Sequence, residues 1–377
     1  MIGFIGILAA TMFVAYANGA NDNFKGVATL FGSGTTDYRK ALGWATMTTL
    51  FGSLCAFFWA EKLVKTFSGK GLVPDTLVAN PAFMVAVITG AGLTVFVAAQ
   101  TGIPISTTHS LTGALVGAGF VAIGSSLGFS ALGKNFFIPL LVSPFIALVL
   151  ALILYPIFHW GRQKAGIQKD SCACIGASEV IAEPAVAGIG AMAMTTNLPR
   201  VDVLVGSQEF CASQAVEVYS GKMLGMSIQK ALDILHFISA GAVSFARGLN
   251  DTPKIVALAV AFGALGLGTN IALVAVVMAL GGILSAKKIA RTMSQRITAI
   301  NHGQGLTANL VTAFLVIFAS RLGVPVSTTH VSCGSLFGIG LANGQARWKV
   351  ISGIVGAWVM TLPTAALLSG AIYWMIR

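Results

Sequence analysis

The sequence predicts an all-α integral membrane protein, built from two inverted-topology repeats with broken helices and a polar central linker. Three observations lead there: an apolar excess too large for a water-soluble globule, two motifs that recur once per half in the same order, and a loop-charge pattern that reverses between halves. Apolar residues make up 56% of the 377 residues and charged residues 9%, with a mean hydropathy of +0.85. Too little polar surface remains to face water, so the bilayer is the solvent. The 44 glycines suit helix interfaces in lipid, where backbones must approach closely.

Taken in order, the first repeat spans 1–159 and the second 231–377. The opening apolar segment, 2–33, follows Met1 with no basic stretch and is read as the first crossing rather than a leader peptide. Further crossings are expected at 41–60, 82–100, 102–128 and 136–158, then at 231–266, 271–286, 297–320, 322–342 and 350–376. About 20 apolar residues suffice to carry a helix across roughly 30 Å of hydrocarbon. Residues 160–230 hold Arg162, Lys164, Lys169, Asp170, Glu179, Glu183, Arg200, Asp202 and Glu209 without a spanning stretch. This is a linker outside the membrane, either a tether with little structure or a small regulatory subdomain.

The net charge of +11 has no basic cluster with interleaved aromatics, so it does not indicate nucleic acid. Membrane topology accounts for it better. With the N-terminus outside, fourteen of the 23 Lys and Arg residues fall inside, among them Arg39, Lys40, Lys222, Lys230, Lys287, Lys288, Arg291, Arg296, Arg347 and Lys349. Six fall outside: Lys62, Lys65, Lys70, Lys134, Arg321 and Arg377. The positive-inside rule then inverts the two halves, puts the linker in the cytoplasm and makes the chain a multi-pass protein of the cell inner (plasma) membrane. The three remaining cations, Lys25, Arg247 and Lys254, lie within the membrane beside Asp22 and Asp251. A charge at the bilayer centre costs about 2.5–3.5 kcal/mol on insertion scales, so charges persist there mainly when they line a site. Salt bridges that lock helices are the plainer alternative.

The first motif is Gly19-Ala20-Asn21-Asp22-Asn23-Phe24-Lys25, repeated as Gly248-Leu249-Asn250-Asp251-Thr252-Pro253-Lys254. Each copy sits near the middle of a segment too long for one straight crossing, and Gly, Asn and Asp favour interrupted helices. Both segments are therefore expected to break there. Unwound backbone at membrane depth must line protein or a water-filled cavity. Asp, Asn and freed carbonyl oxygens suit an alkali cation, and an Asp alone can carry a proton.

The second motif is Gly102-Ile103-Pro104-Ile105-Ser106-Thr107-Thr108-His109, repeated as Gly323-Val324-Pro325-Val326-Ser327-Thr328-Thr329-His330. Pro ends the preceding turn and Ser-Thr-Thr starts a half-helix whose N–H groups and positive dipole end bind anions. Ser106, Thr107, Thr108, Ser327, Thr328 and Thr329 could surround a tetrahedral oxyanion, phosphate or sulfate, from both sides. Lys25 and Lys254 could add charge or pair with the Asp one turn back.

Other chemistries find little support. His109 and His330 have no second ligand at metal spacing and read as structural, and His159, His236 and His302 stand near segment ends. Cys55, Cys172, Cys174, Cys211 and Cys333 lack metal-ligand spacing, and Cys172 and Cys174 are one residue too close for a C-x-x-C pair. No transition metal and no organic cofactor is indicated. Without a nucleophile–base pair at readable spacing, an enzyme is not expected.

The doubled G-x-N-D and P-x-S-T-T-H signatures resemble the PiT family of inorganic phosphate transporters, over both membrane halves. The resemblance implies symport of inorganic phosphate with sodium, or with protons in some members, around a site at the membrane midplane. It implies that Asn21, Asp22, Asn250 and Asp251 coordinate cation and substrate, and that the six Ser and Thr residues hold phosphate. The family's commonest pattern has Asn where Lys25 and Lys254 stand, which leaves coupling and the preferred oxyanion open. Sodium would be a coupling ion rather than a resident cofactor. One cation only cancels the charge of a monovalent anion, while a charge moved against the potential costs about 2.3 kcal/mol per 100 mV. Two sodium ions per phosphate, one at each break, is the resulting expectation. A sulfate permease and an anion channel are the alternatives, and a homo-oligomer is left open.

Overall fold

The computed structural model describes residues 2–69, 71–165, 171–178, 200–207, 224–263 and 265–377. Lys70, Lys169, Asp170, Glu179, Glu183, Glu209, Cys211 and Lys222, which entered the charge and cysteine readings, lie outside the described residues. Residues 1–156 and 236–377 form one compact unit, and residues 157–235 form a second.

The helices of the first half are α1 (Ile2–Asp22), α2 (Ala28–Gly32), α3 (Tyr38–Trp59), α4 (Glu61–Phe67), α5 (Asp75–Val78), α6 (Pro81–Thr101), α7 (Thr107–Ile123), α8 (Phe129–Leu132) and α9 (Ile138–Lys164). The second half runs α10 (Ile228–Ala261), α11 (Leu267–Ser285), α12 (Lys287–Arg291), α13 (His302–Leu322), α14 (Thr328–Ala342) and α15 (Trp348–Ile376). Eight stretches among the described residues are long and apolar enough to cross a membrane. Helix ends follow local chemistry. Asp37 caps α3 by accepting from Lys40 N at 2.9 Å, a bond that holds its exposed carboxyl below the usual range. Asn80 accepts from Ala82 N and Phe83 N ahead of Pro81, and Asn301 with Gln304 closes a reciprocal cap on α13.

The second unit, described by itself, contains a three-stranded antiparallel sheet. β1 (Ser171–Ser178) lies between β2 (Arg200–Ser207) and β3 (Leu224–Ser227), with Ser171 opposite Ser207 and Cys172 opposite Ser227.

Two expectations need correcting. The segment 2–33 does break, at a turn over Asn23 and Phe24 and a 3₁₀ turn at Lys25–Val27, but α10 runs as one helix through Asn250 and Asp251 with Pro253 inside it. The difference goes with a contact between helices. Gly26 allows the chain to press against α10, where a Cβ would lie 2.2 Å from Ser244 Oγ, whereas the matching position in the second half is Ile255. The intervals 102–128 and 322–342 are not independent spans either. They are returning arms, α7 and α14, of hairpins whose first arms are α6 and α13.

The repeat is visible in the packing. Gly19 approaches the carbonyl of Met278 on α11, and its counterpart Gly248 approaches the carbonyl of Thr49 on α3. Gly52 meets the carbonyl of Phe245, and Gly281 that of Tyr16. Each half therefore packs its motif helix on the second helix of the other half. The hairpins are exchanged likewise: Gly113 and Gly117 of α7 face α15, while Gly334 and Gly338 of α14 face α9. A larger residue at any of these positions would meet backbone. The outer surface is apolar, with Phe58 77% and Leu367 75% exposed, whereas Lys25, Arg247 and Lys254 are exposed by 2% or less.

Candidate functional site

The two hairpin tips are built alike. Gly102 (φ 77°) and Gly323 (φ 76°) end α6 and α13 in the left-handed conformation, which a side chain would strain. Ser106 and Ser327 then cap α7 and α14 with the same backbone angles (φ −101°, ψ 116°), accepting from His109 N at 3.1 Å and His330 N at 3.2 Å. Short helical segments of the opposite half brace each tip: Thr292 Oγ1 donates to Gly102 O at 2.8 Å, and Thr66 Oγ1 to Gly323 O at 3.3 Å.

Inside, the tips are tied to each other. Thr329 Oγ1 donates to Ile105 O at 2.8 Å and Thr108 Oγ1 to Val326 O at 3.3 Å, two bonds related by the repeat. Lys25 Nζ donates to Thr329 Oγ1 at 2.6 Å, Asn21 Oδ1 at 2.7 Å and Ile105 O at 2.9 Å, and also to Asp22 Oδ1. Lys254 Nζ donates to Val326 O at 2.6 Å and Thr108 Oγ1 at 2.9 Å, with Asp251 Oδ1 at 3.8 Å. The amide of Asn21 reaches Ile103 O at 3.1 Å, and that of Asn250 reaches Val326 O at 3.2 Å and Thr328 Oγ1 at 3.1 Å.

The acids meet at the centre. Asn18 Nδ2 donates to Asp22 Oδ2 at 3.1 Å, Asp251 Oδ2 at 3.3 Å and Thr107 Oγ1 at 2.9 Å. Arg247 Nη2 donates to Asn18 Oδ1 at 2.6 Å, Nη1 to Asn23 Oδ1 at 3.0 Å, and Nε lies 3.7 Å from Asp251 Oδ2. Three buried cations face two buried carboxylates, a formal excess of one positive charge. That excess, with the positive ends of α7 and α14, favours an anion.

Residues 18–369 match the family model described as the phosphate transporter family. The chain belongs to that family. It is a multi-pass membrane transporter rather than an enzyme. It is 28% identical over 381 residues to a probable low-affinity inorganic phosphate transporter of Rhizobium meliloti, covering 98% of this chain and 95% of that one. To the chloroplastic inorganic phosphate transporter 2-1 of Arabidopsis thaliana it is 26% identical over 422 residues, covering 96% of this chain and 70% of that one. A solved structure called the sodium-dependent phosphate transporter superposes with a TM-score of 0.74 at 20% identity, over 100% of this chain and 99% of that chain. The fold is shared.

In this phosphate transporter family member, all twelve residues singled out for the site lie in one buried cluster. Their roles within it differ. Ser106 and Ser327 spend their side chains on capping, while Thr108 and Thr329 bridge the hairpins. His109 contacts Ser106 Oγ at 3.0 Å, and its ring lies 4.4 Å from that of His330, which stacks on Trp358 at 3.9 Å. The sequence reading missed Asn18 as a partner of both acids, and it placed Arg247 beside the acids without its bonds to Asn18 and Asn23. A signal existed: both stand immediately before the Gly of the first motif, at equivalent positions. A cavity of about 370 Å³ opens beside α4, α5 and the end of α10, lined in part by Lys65, Ser68, Asp75 and Ala257. Phe67, adjacent to Ser68 in sequence, is buried with its ring 5.6 Å from Lys254 Nζ.

Proposed function

We propose that the chain is a secondary transporter that moves inorganic phosphate across the cell inner (plasma) membrane, driven by a coupled cation. One observation carries the reading of the site: two capped helix starts, α7 and α14, meet inside the protein within a buried excess of positive charge. Thr107, Thr108, Thr328 and Thr329, with the first-turn N–H groups, would receive phosphate, with Ser106 and Ser327 fixing the helix starts. Asn21, Asp22, Asn250 and Asp251 would form the coupling side. Family membership and the named substrates of the relatives support phosphate over sulfate. The linker, 160–230, would lie in the cytoplasm.

Two coupling ions are in play. Sodium is supported by hard oxygen donors around both acids and by the name of the solved structure that shares the fold. Protons are favoured by a different observation, because the oxygens of Asn21 and Asp22 already face the Lys25 ammonium. Uptake of radiolabelled phosphate into proteoliposomes, with arsenate and sulfate as competitors, tests the substrate. Arsenate is expected to compete and sulfate not. Sulfate uptake faster than phosphate uptake would overturn the assignment, and unitary currents would favour a channel.

A further inference from the structure

The four oxygens around Lys25 Nζ come from three separate parts of the chain. They comprise a side-chain amide oxygen (Asn21), a carboxylate (Asp22), a backbone carbonyl (Ile105) and a hydroxyl from the other half (Thr329). An ammonium has three protons to donate, so four oxygens exceed what hydrogen bonding requires. The arrangement is a shell around a charge, made of the hard donors that surround s-block cations. A salt bridge that merely locked a helix would need only Asp22, one turn away.

The second half repeats the arrangement. Lys254 Nζ sits on Val326 O and Thr108 Oγ1, the counterparts of Ile105 O and Thr329 Oγ1, with Asp251 alongside. Each lysine thus reaches the hairpin tip of its own half and a threonine of the other. Both ammonium groups are buried. A mobile cation entering either shell would meet a fixed positive charge at contact distance in a medium that screens poorly.

We propose that Lys25 and Lys254 are tethered counter-cations: their ammonium groups hold the positions beside Asp22 and Asp251 that mobile alkali ions would otherwise take. The chain therefore carries its oxyanion without binding sodium at either position. This rests on the transporter reading above and decides between its two coupling ions. The lysines stay with the protein through the cycle, so they balance the charge of the acids and anion without crossing the membrane.

The test uses the full-length protein in proteoliposomes and detergent, with two readouts. Saturable binding of radioactive sodium needs no substrate, and radiolabelled phosphate uptake is compared in sodium and choline chloride at equal pH. The wild type is expected to show no saturable sodium binding and uptake that differs by less than about twofold between the salts. Lys25→Asn and the double variant Lys25→Asn/Lys254→Asn vacate the shell and leave a carboxylate without its cation. They are expected to bind sodium saturably and to gain about fivefold or more stimulation of uptake by it, a modest coupling between two ligands. Saturable sodium binding by the wild type, or uptake that collapses in choline, overturns the proposal. So do variants that melt cooperatively and bind no sodium. If a variant does not fold, the wild-type measurements still decide. Sulfate uptake in place of phosphate would sink the substrate assignment alone, since sodium binding is read without substrate.

Discussion

Arg247 and Asn18 stand at the same position in the two copies of the first motif, and they touch: Arg247 Nη2 donates to Asn18 Oδ1 at 2.6 Å. The repeat therefore places unlike residues where its two copies meet. Asn18 turns its amide to both acids, and Arg247 supplies the odd positive charge.

Arg247→Ala removes a buried charge, leaves the amide oxygens of Asn18 and Asn23 without its donors and takes from Asp251 the guanidinium 3.7 Å away. Breaking a buried pair in this way costs about 3–5 kcal/mol, so the variant should melt far below the wild type in detergent. Asn18→Ala should cost less, about 1–3 kcal/mol, because the acids keep their cations. Thermal melts checked by gel filtration decide the order, and an Asn18 variant less stable than Arg247→Ala would contradict it.

Asp22→Asn leaves Lys25 buried without its carboxylate, and should lose phosphate uptake together with about 3–5 kcal/mol of stability. Lys25→Asn in the same chain removes the stranded charge. The double variant should therefore recover much of the stability but not the uptake, a non-additive cycle. Additive losses in stability would show that the two residues do not interact.

Thr329→Val deletes a hydroxyl that donates at 2.8 Å and accepts at 2.6 Å, whereas Thr108→Val deletes one with bonds of 3.3 and 2.9 Å. Each change removes one acceptor from a buried ammonium and one donor from a carbonyl that the lysine still reaches, worth about 0.5–1.5 kcal/mol per bond. The loss at Thr329 should be the larger, with a higher KM for phosphate in both. Equal or reversed effects would count against the hairpin bond as the cause.

Gly102→Ala and Gly323→Ala force a Cβ into the left-handed region, at a cost of about 1–2 kcal/mol each. Gly323 should suffer more, because its added Cβ would also lie 2.6 Å from Lys62 Cβ, against 3.3 Å from Lys288 Cβ for Gly102. Melting temperatures of the two variants make the comparison.

The depressed carboxyl of Asp37 gives a pH dependence outside the membrane. Its folded pKa lies below its unfolded one, so the cap contributes fully above the unfolded value and is lost as pH falls through the folded one. Protection of the α3 N-terminal amides against hydrogen exchange should fall over that acidic window in the wild type and be low throughout in Asp37→Ala.

Much of this architecture was legible in the sequence because it depends on composition and local rules. Apolar excess fixes the solvent as lipid, repetition reveals two copies, and Ser after Pro marks where α7 and α14 begin. The break after Asp22 followed from local chemistry too, but the continuity of α10 did not. It turns on Gly26 meeting Ser244 across two helices, a contact between residues 218 positions apart.

By itself, then, the sequence determined membrane residence, the duplicated halves and which residues gather at depth, since each follows from residue type and short-range spacing. Tertiary structure alone decided that Lys25 reaches Thr329, that Asn18 faces Arg247, and that two expected crossings are hairpin arms. Those facts depend on how backbones from opposite halves approach through their glycines, and no local pattern specifies such an approach.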